Sequence, residues 1–363
     1  MASLAVLWCL ALAGSAAAQG RSFDATEPQQ YGARAKKAVD KKLTEQVLIK
    51  GGWVTFGTSF ADEDVPKDFA PEDKEGAQVE SLKETLDADI FSAIAGATGL
   101  DKRPSSLSRD GAKTASHRRM PPFLMDPTAV SNDQFKRFVQ DADFKTEAEN
   151  FRWSFVLEIL ASNETINQTD AKHGLGRVAS SPWWMGVYGA NWRKPEGPDS
   201  SIMGKKKNPA VHISWNDAKA YCAWAGRRLP TEPEWEMAAR GGLEDEPFPW
   251  GDRDDDAHER LNAWEGAFPK ENVARDGFVG VAPVDAYAPN AYGIYNALGN
   301  VWEWVDGGDA EKRPMRGGSF VDTVDGAYNH ALRCSTRMDQ SADSGSHNTG
   351  FRCASDAPGK GEL

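Results

Sequence analysis

Oxygen-bearing side chains in two short segments are the residues of this sequence best suited to chemistry. Asn262 and Asp276 flank a loop rich in Trp, Gly and Pro, while Asn296 and Glu303 lie in the segment 296–304. Carboxylate and amide oxygens, together with the carbonyls of Gly-containing loops, are the ligands that a hard cation such as calcium prefers. Asx-rich turns also satisfy their own backbone, so composition alone leaves calcium binding and plain turns open.

The remaining polar residues argue against the commonest catalytic arrangements. The six histidines form no His-Glu-x-x-His motif and no paired spacing suited to zinc, which argues against a zinc hydrolase. The sequence also lacks the Gly-x-Ser-x-Gly, P-loop and Gly-x-Gly-x-x-Gly signatures of common hydrolases and nucleotide-binding proteins. The scattered histidines leave a non-haem iron triad open, but no spacing supports one.

Composition indicates a folded, acidic protein. The chain has 363 residues with 42 basic and 54 acidic side chains, so its formal net charge is −12. A hydrophobic content of 40% with 13 tryptophans is typical of a globular core rather than a disordered chain. The acidic balance predicts no nucleic-acid partner. Beyond the N-terminus no apolar stretch reaches the roughly 20 residues that cross a bilayer, so no membrane span is expected.

The two ends of the chain predict a compartment. An apolar block over residues 4–13 and the small residues Ala16-Ala17-Ala18 indicate a secretory signal peptide over residues 1–18, with a buried first helix as the alternative. Two sequons, at Asn163 and Asn167, fit the secretory route as glycosylation sites. The terminal Lys-Gly-Glu-Leu, residues 360–363, is similar to a retrieval signal read by a receptor. We therefore expect a protein of the endoplasmic reticulum lumen.

Cysteine counting agrees with an oxidising compartment. Cys9 would leave with the signal peptide, so the mature chain would keep Cys222, Cys334 and Cys353. Three cysteines allow one internal disulfide and leave one thiol over.

Short helices and strands must position the candidate calcium ligands and the cysteines. Val47 to Thr58 predicts a strand-turn-strand entry, and capping boxes at Ser131, Ser214 and Thr231 predict three helices. Residues 62–119 are rich in charged and small residues and read as a variable insert containing one amphipathic helix. Because the chain shows no βαβ alternation, we expect an α+β fold with much irregular backbone.

Several blocks spread over residues 47–356 resemble the formylglycine-generating enzyme family of sulfatase-modifying factors. The matching blocks are Ser181-Pro-Trp-Trp184, Gly189-Ala-Asn-Trp-Arg-Lys-Pro-Glu-Gly-Pro-Asp199, Val211-His-Ile-Ser-Trp-Asn-Asp217, Arg228-Leu-Pro-Thr-Glu-Pro-Glu-Trp-Glu236, Pro249-Trp-Gly251, Gly299-Asn-Val-Trp-Glu-Trp304, Arg316-Gly-Gly-Ser-Phe320 and Gly350-Phe-Arg-Cys353. The resemblance implies one compact C-type-lectin-like domain over 47–356, between an N-terminal extension (19–46) and a C-terminal tail (357–363) carrying the retrieval signal.

One departure from the family pattern concerns catalysis. The resemblance implies that active members oxidise a sulfatase cysteine with oxygen and a copper ion held by two thiolates, which follow the Arg-Gly-Gly-Ser block. Soft sulfur ligands suit Cu(I). Here no cysteine lies between Ser319 and Cys334, and Asp322 stands where the first copper ligand is expected. The chain therefore resembles the non-catalytic branch of the family, and we expect no copper and no oxidase activity.

Other family features transfer residue by residue. The resemblance implies calcium sites at Asn262, the Ala263 carbonyl, Asp276 and the Phe278 carbonyl, and at Asn296, the Gly299 and Val301 carbonyls and Glu303. It also implies that Cys334 is a structural cysteine whose usual partner position is Ala239, which leaves Cys222 to bond Cys353.

The expected function is that of a luminal, calcium-bound pseudoenzyme. The resemblance implies binding to the active formylglycine-generating enzyme and to unfolded sulfatases, with lowered formylglycine formation. Ser319 and Asn348 are candidate walls of a peptide groove, or else plain turn residues. Two alternatives stay open, an oxidase that uses Cys334 with another thiol and a general lectin-like binding module. A monomer, a homodimer and a heterodimer are all compatible with the sequence.

Overall fold

The structure, a computed structural model, describes residues 43–57, 115–169, 175–309 and 311–358. The predicted signal peptide, most of the N-terminal extension, the amphipathic helix of the insert and the retrieval signal lie outside these residues. Within the described ranges no helix is long and apolar enough to cross a membrane.

Three of the five described α-helices begin at the capping residues that the sequence predicts. The described residues form α1 Asn132–Ala142, α2 Glu147–Phe151, α3 Asn163–Gln168, α4 Trp215–Trp224 and α5 Glu232–Arg240. Ser131, Ser214 and Thr231 each close a capping box, and Thr146 closes a fourth before α2. Each box satisfies backbone N–H groups that would otherwise lack a partner. Gly241, with φ 63°, ends α5 in the left-handed region.

Twelve strands, all short, complete the described elements. They are β1 Val47–Ile49, β2 Gly52–Phe56, β3 Ser116–Met120, β4 Phe123–Met125, β5 Trp153–Leu157, β6 Arg177–Val178, β7 Ser181–Tyr188, β8 Trp302–Trp304, β9 Lys312–Arg316, β10 Arg337–Ser341, β11 Thr349–Phe351 and β12 Ala354–Asp356. They pair as β1-β4-β12, β10-β9-β8-β11, β2-β3 and β5-β7-β6. Long connections without regular structure separate many of them, as the sequence predicts for an α+β protein.

The four-stranded sheet brings distant segments of the site together. β8 and β11 pair in parallel, with Glu303 opposite Gly350, so the segment 296–304 lies beside the residues preceding β11. On the other side of β8, Glu303 pairs with Arg316 of β9, whose end leads directly into Gly317 and Gly318. The sheet therefore places a predicted calcium segment next to the segment that leads to Asp322, the predicted copper position.

Two hydrophobic clusters form most of the core. One packs aromatic residues of α1 and α4, such as Phe135 and Tyr221, against Phe351 of β11. Cys222 of α4 and Cys353 form a disulfide in this cluster, as the family resemblance implies. The other cluster surrounds Trp235 of α5 and contains the free thiol of Cys334.

Two buried charged residues of α5, Glu236 and Arg240, hydrogen-bond to the end of β2 and so hold the β2-β3 ribbon against this helix. Glu236 accepts a hydrogen bond from the Gly57 amide at 2.9 Å, and Arg240 donates one to the Gly57 carbonyl at 2.7 Å. The same carboxylate pairs with the buried Arg316 guanidinium. Because β3 spans Ser116–Met120, regular pairing resumes within the last residues of the predicted insert (62–119).

Candidate functional site

The carboxylate of Asp322 occupies the predicted copper position and lies inside the protein, 2% exposed. Its Oδ2 accepts hydrogen bonds from the Ser319 amide and from the Ser319 hydroxyl, both at 2.8 Å. Its Oδ1 accepts from the His330 amide at 3.0 Å and from His330 Nδ1 at 3.1 Å. The Asp322 carboxylate is thus saturated by groups of its own loop, an arrangement that compensates its burial without a metal.

Ser319 and Asn348 are brought together, but in the interior rather than on an open groove. The Asn348 Nδ2 donates to the Ser319 hydroxyl at 2.9 Å, and Asn348 Oδ1 accepts from the Ser346 hydroxyl at 2.7 Å. Both side chains are buried. In this structure Ser319 bonds the Asp322 carboxylate and Asn348 bonds Ser319, so both belong to one buried hydrogen-bond network, and their role in a peptide groove stays a prediction.

Two glycines decide how closely this loop approaches the core. Gly317 and Gly318 have φ values of 91° and 72°, a region that side chains with a Cβ disfavour. A Cβ at Gly317 would lie 2.4 Å from the Ala297 carbonyl, and one at Gly318 would lie 2.1 Å from a methyl carbon of Leu332. The glycines therefore allow Ser319 and Asp322 to form their buried turn.

Two buried polar atoms close to this turn have no hydrogen-bond partner. They are Nδ1 of His347 and Nε1 of Trp264. The His347 ring packs against Phe320 with centroids 5.9 Å apart, and the Trp264 amide donates to the Asp322 carbonyl at 2.9 Å. Burial lowers the pKa of His347 well below its usual value, with the neighbouring His212 adding to the effect, so the ring stays neutral at physiological pH.

Sequence reasoning did not identify His330 or His347 as part of this site. His330 lies eight residues after Asp322 and His347 twenty-five, and neither spacing matches a known motif. Among the described residues, no group of three or more His, Cys, Asp or Glu side chains is placed to hold a metal.

Cys334 is not poised for chemistry. Its thiol is buried, and burial raises its pKa to about 12, with Glu236 adding to the shift and Arg240 and Arg316 opposing it. A thiol that stays protonated at neutral pH is a poor nucleophile and a poor copper ligand. Cys334 and Ala239 belong to the same hydrophobic cluster, so the cysteine serves as a core residue.

In the first set of predicted calcium ligands, Asp276 bonds to the backbone amides of two other members. Its Oδ1 accepts from the Phe278 amide at 2.9 Å, and the Ala263 amide also bonds this carboxylate. Burial raises the pKa of Asp276, with the nearby Glu265 charge adding to the effect. The amide oxygen of Asn262 is buried and has no hydrogen-bond partner, although its Nδ2 donates to the Gly280 carbonyl at 2.8 Å. A buried amide oxygen without a partner and a carboxylate are both ligand types that a hard cation takes.

The second set is only partly free for a cation. The amide oxygen of Asn296 is buried without a hydrogen-bond partner, as in the first set. Glu303, in contrast, accepts two hydrogen bonds from the Arg352 guanidinium, at 2.6 and 2.7 Å, and one from Trp235 Nε1 at 2.7 Å. Since Arg352 already pairs with Glu303, the Asn296 amide oxygen is the side-chain ligand of this set that most clearly lacks a partner, while Asn296 Nδ2 donates to the Pro283 carbonyl at 2.9 Å.

The two sets adjoin each other through Gly299. The Asn300 amide donates to the Asn262 carbonyl at 2.8 Å, and a Cβ at Gly299 would lie 2.2 Å from that carbonyl oxygen. Asn262 Nδ2 also approaches Asn300 Oδ1 at 3.1 Å. The loops that carry the two predicted sites therefore form one continuous structure.

The predicted glycosylation sites lie on the surface. Asn163, the first residue of α3, and Asn167 both have exposed side chains. The Thr165 hydroxyl is buried and donates to Asp199 at 2.8 Å. Glycosylation of either asparagine stays a prediction.

Comparison with known proteins agrees with this geometry. The profile of the sulfatase-modifying factor enzyme 1-like domain matches residues 32–357. The chain is 48% identical to the "Inactive C-alpha-formylglycine-generating enzyme 2" of Bos taurus over 254 residues, which cover 69% of this chain and 82% of the relative. It is 43% identical to the "Formylglycine-generating enzyme" of Mus musculus over 268 residues, covering 69% and 70%.

A solved structure supports the fold alone. PvdO from Pseudomonas aeruginosa is 19% identical and superposes with a TM-score of 0.53, covering 88% of this chain and 97% of its own. Fold and site together define a protein of the formylglycine-generating-enzyme type in which a hydrogen-bonded carboxylate, Asp322, stands at the predicted copper position. The chain belongs to the sulfatase-modifying factor family, and it is a catalytically inactive paralogue, as its similarity to relatives named inactive confirms.

Proposed function

We propose that this protein is a luminal regulator that binds sulfatases and the active formylglycine-generating enzyme and lowers formylglycine formation. A chain that keeps the fold of an oxidase without its chemistry can still present the surfaces that recognise the substrate or the enzyme. Occupying those surfaces without turnover would slow the active paralogue.

The observation that carries the proposal is the saturation of Asp322. A hard carboxylate that already accepts four hydrogen bonds from Ser319 and His330 offers neither the softness nor the free electron pairs that a Cu(I) centre requires. The position is therefore rebuilt as a structural turn. The rival oxidase centred on Cys334 is disfavoured by the buried, protonated state of that thiol.

We also propose that calcium stabilises the loops near this position. Asn262, Asp276 and the Ala263 and Phe278 carbonyls would hold one ion, and Asn296, Glu303 and the Gly299 and Val301 carbonyls a second. Bound calcium would supply positive charge to buried oxygen atoms and would crosslink loops that have little regular structure. The unpartnered amide oxygens of Asn262 and Asn296 support this assignment.

The proposed location is the endoplasmic reticulum lumen. The signal-peptide pattern over residues 1–18, the exposed sequons at Asn163 and Asn167 and the terminal Lys-Gly-Glu-Leu support it together. A retrieval receptor would then be a further partner, and the Cys222–Cys353 disulfide is compatible with an oxidising compartment.

A peptide-conversion assay tests the proposal in two arms. In the first, the protein alone is incubated with a sulfatase-type cysteine peptide, Cu(I), a thiol reductant and oxygen, and mass spectrometry reads the peptide. We expect no formylglycine, beside an active-enzyme control that converts the peptide. Conversion by this chain would overturn the assignment.

In the second arm, increasing amounts of the protein are added to the active enzyme, with heat-denatured protein as the matched control. We expect the folded protein to lower the conversion rate and the denatured protein to leave it unchanged. An unchanged rate, together with no retention of the active enzyme or of unfolded sulfatase on the immobilised protein, would contradict the regulatory role.

A further inference from the structure

The β2-β3 ribbon and the turns at its open end form a surface that neither the fold nor the site explains. We define the basic ribbon as Trp53, Arg119 and Lys50 together with the adjoining groove. The groove is lined by Leu48, Lys50, Gly51, Gly52, Arg119, Met120, Pro121 and Pro122.

The ribbon exposes a large aromatic side chain. Trp53 is 67% exposed, although its neighbour Val54 is buried. Trp53 lies directly opposite Arg119 in the antiparallel register, so the indole and the guanidinium stand on one face. An exposed Trp beside an Arg is the pair of residue types that most often contributes strongly to protein interfaces.

The groove beside this pair is concave and has few side chains on its floor. It has a volume of about 590 Å³. A Cβ at Gly51 would lie 2.5 Å from the Met120 carbonyl oxygen, so the two turns touch through their backbones there, whereas Gly52 faces open space. Leu48, 45% exposed, and the Pro121 and Pro122 rings give the groove apolar walls.

The positive charges around the groove are not used within the described part of the chain. Lys50 and Arg119 are exposed and form no ion pair with a described residue. Arg118 pairs with the buried Val54 in the register and so points to the opposite face of the ribbon, where it donates to the Ser116 hydroxyl at 3.5 Å and lies over the Phe56 ring at 5.0 Å. The two cations at the groove, Lys50 and Arg119, contrast with the net charge of −12 of the whole chain. This local positive field favours an acidic partner and extends about 8–10 Å in physiological salt.

We propose that the basic ribbon docks an extended acidic segment of a partner protein, whose apolar side chains enter the groove while its carboxylates pair with Lys50 and Arg119. Charge complementarity selects the acidic residues, and the apolar concave walls favour a polypeptide over a bare anion or a flat membrane surface. The surface is separate from the Asp322 turn, and this proposal does not depend on the regulatory role.

The direct test measures binding of a fluorescein-labelled peptide of alternating Leu and Glu by fluorescence anisotropy, with a Leu-Lys peptide as the charge control. We expect the acidic peptide to bind at least tenfold more tightly than the basic one and to weaken with added salt. Trp53→Ala should weaken binding about tenfold or more, and the double variant Lys50→Glu/Arg119→Glu should reverse the preference between the two peptides.

Matched controls separate the ribbon from general surface effects. Met203, 88% exposed, and Lys136, exposed on α1, supply Met203→Ala and Lys136→Glu as equivalent changes elsewhere. Neither control should change peptide affinity more than twofold, and circular dichroism should show all variants folded.

Three outcomes would overturn the proposal. They are equal affinity for the two peptides, an equal loss with Lys136→Glu, or binding to phosphatidylserine vesicles that needs the same residues while the acidic peptide does not bind. The last outcome would assign the surface to membranes instead of an acidic polypeptide.

Discussion

The turn that carries Ser319 and Asp322 and the loops that carry Asn262 and Asn296 differ in how their buried polar atoms are satisfied. At Asp322 every carboxylate oxygen accepts hydrogen bonds from groups only a few residues away. In the loops, the Asn262 and Asn296 amide oxygens are buried and accept none. An unpartnered buried acceptor costs about 1–3 kcal/mol, so the second arrangement is stable only if a cation or ordered water supplies the missing partner.

This contrast shows which of the two predicted metal positions leaves acceptors without a partner. The predicted copper position is closed by its own hydrogen bonds, whereas the loops keep acceptors that a hard cation would satisfy. The two regions adjoin each other, since the Trp264 amide donates to the Asp322 carbonyl and Asn262 lies two residues before Trp264.

Calcium removal should give the largest effect. A ligand present at 100 times its Kd stabilises the folded state by about 2.7 kcal/mol, and each kcal/mol shifts the melting temperature of a domain this size by roughly 2–4 °C. We expect chelation with EGTA to lower the melting temperature by several degrees, and excess calcium, but not magnesium, to restore it. Differential scanning calorimetry would measure this shift. An unchanged melting temperature would show that no calcium ion stabilises the loops, and the proposed difference from the Asp322 turn would be wrong.

Amide variants test which region holds the cation. Asn262→Ala and Asn296→Ala should each reduce the response of the melting temperature to calcium, because each removes an orphaned oxygen. Asn348→Ala is the matched control, since this amide is buried but fully bonded near Asp322. It should lower the melting temperature yet leave the calcium response intact. An equal response in all three variants would contradict the assignment of the ligands.

Asp322→Asn tests the closed turn. The asparagine side chain keeps one acceptor oxygen, but its NH2 group would face the backbone N–H of Ser319 or of His330, which is also a donor. We therefore expect the free energy of unfolding to fall by about 1–3 kcal/mol. Urea denaturation measures the change. Asp325→Asn, an exposed position three residues further on, should change it by less than about 0.5 kcal/mol. Similar values for both variants would show that the Asp322 turn contributes no specific stability.

Another buried carboxylate, Asp217, predicts that the free energy of unfolding depends on pH. Burial raises the pKa of Asp217 to about 8, and the neighbouring Glu147 charge adds to this effect. The unfolded pKa is about 3.9. Because folding favours the protonated form, this contribution to stability is complete below about pH 4 and is lost as the pH rises towards 8.

Comparing the wild type with the Asp217→Asn variant isolates the contribution of Asp217 to stability. The free energy of unfolding of the wild type minus that of Asp217→Asn should decrease between pH 5 and 8, measured by urea denaturation at each pH. A constant or rising difference over this range would contradict the raised pKa. The Asp322→Asn variant, studied in parallel, shows whether the effect belongs to Asp217.

The smallest expected effect concerns Cys334. Because burial raises the pKa of its thiol to about 12, we expect no alkylation by iodoacetamide in the native protein at pH 8 within an hour. Full alkylation should follow in guanidinium chloride. Mass spectrometry of the peptide containing Cys334 measures both, and rapid native labelling would reopen the thiol-based oxidase.

Local sequence signals predicted much of the fold. The capping boxes at Ser131, Ser214 and Thr231 each join residues three apart, so they can be recognised without tertiary information. The strand-turn-strand entry follows from a similar local pattern, although β3 could not be separated from the charged insert. Its strand character depends on pairing with β2, sixty residues earlier.

The sequence by itself determined the family, the absence of cysteines between Ser319 and Cys334, and the residue types offered to a cation. Only the tertiary structure decided what those residues do, since burial and many hydrogen-bond partners depend on how distant segments pack. It paired Glu303 with Arg352, 49 residues away, buried the Asp322 carboxylate with the groups of its own loop and left the Asn262 oxygen without a partner. It also buried Ser319 and Asn348 and exposed Trp53. Burial and orientation arise from packing between distant segments, and no local pattern records them.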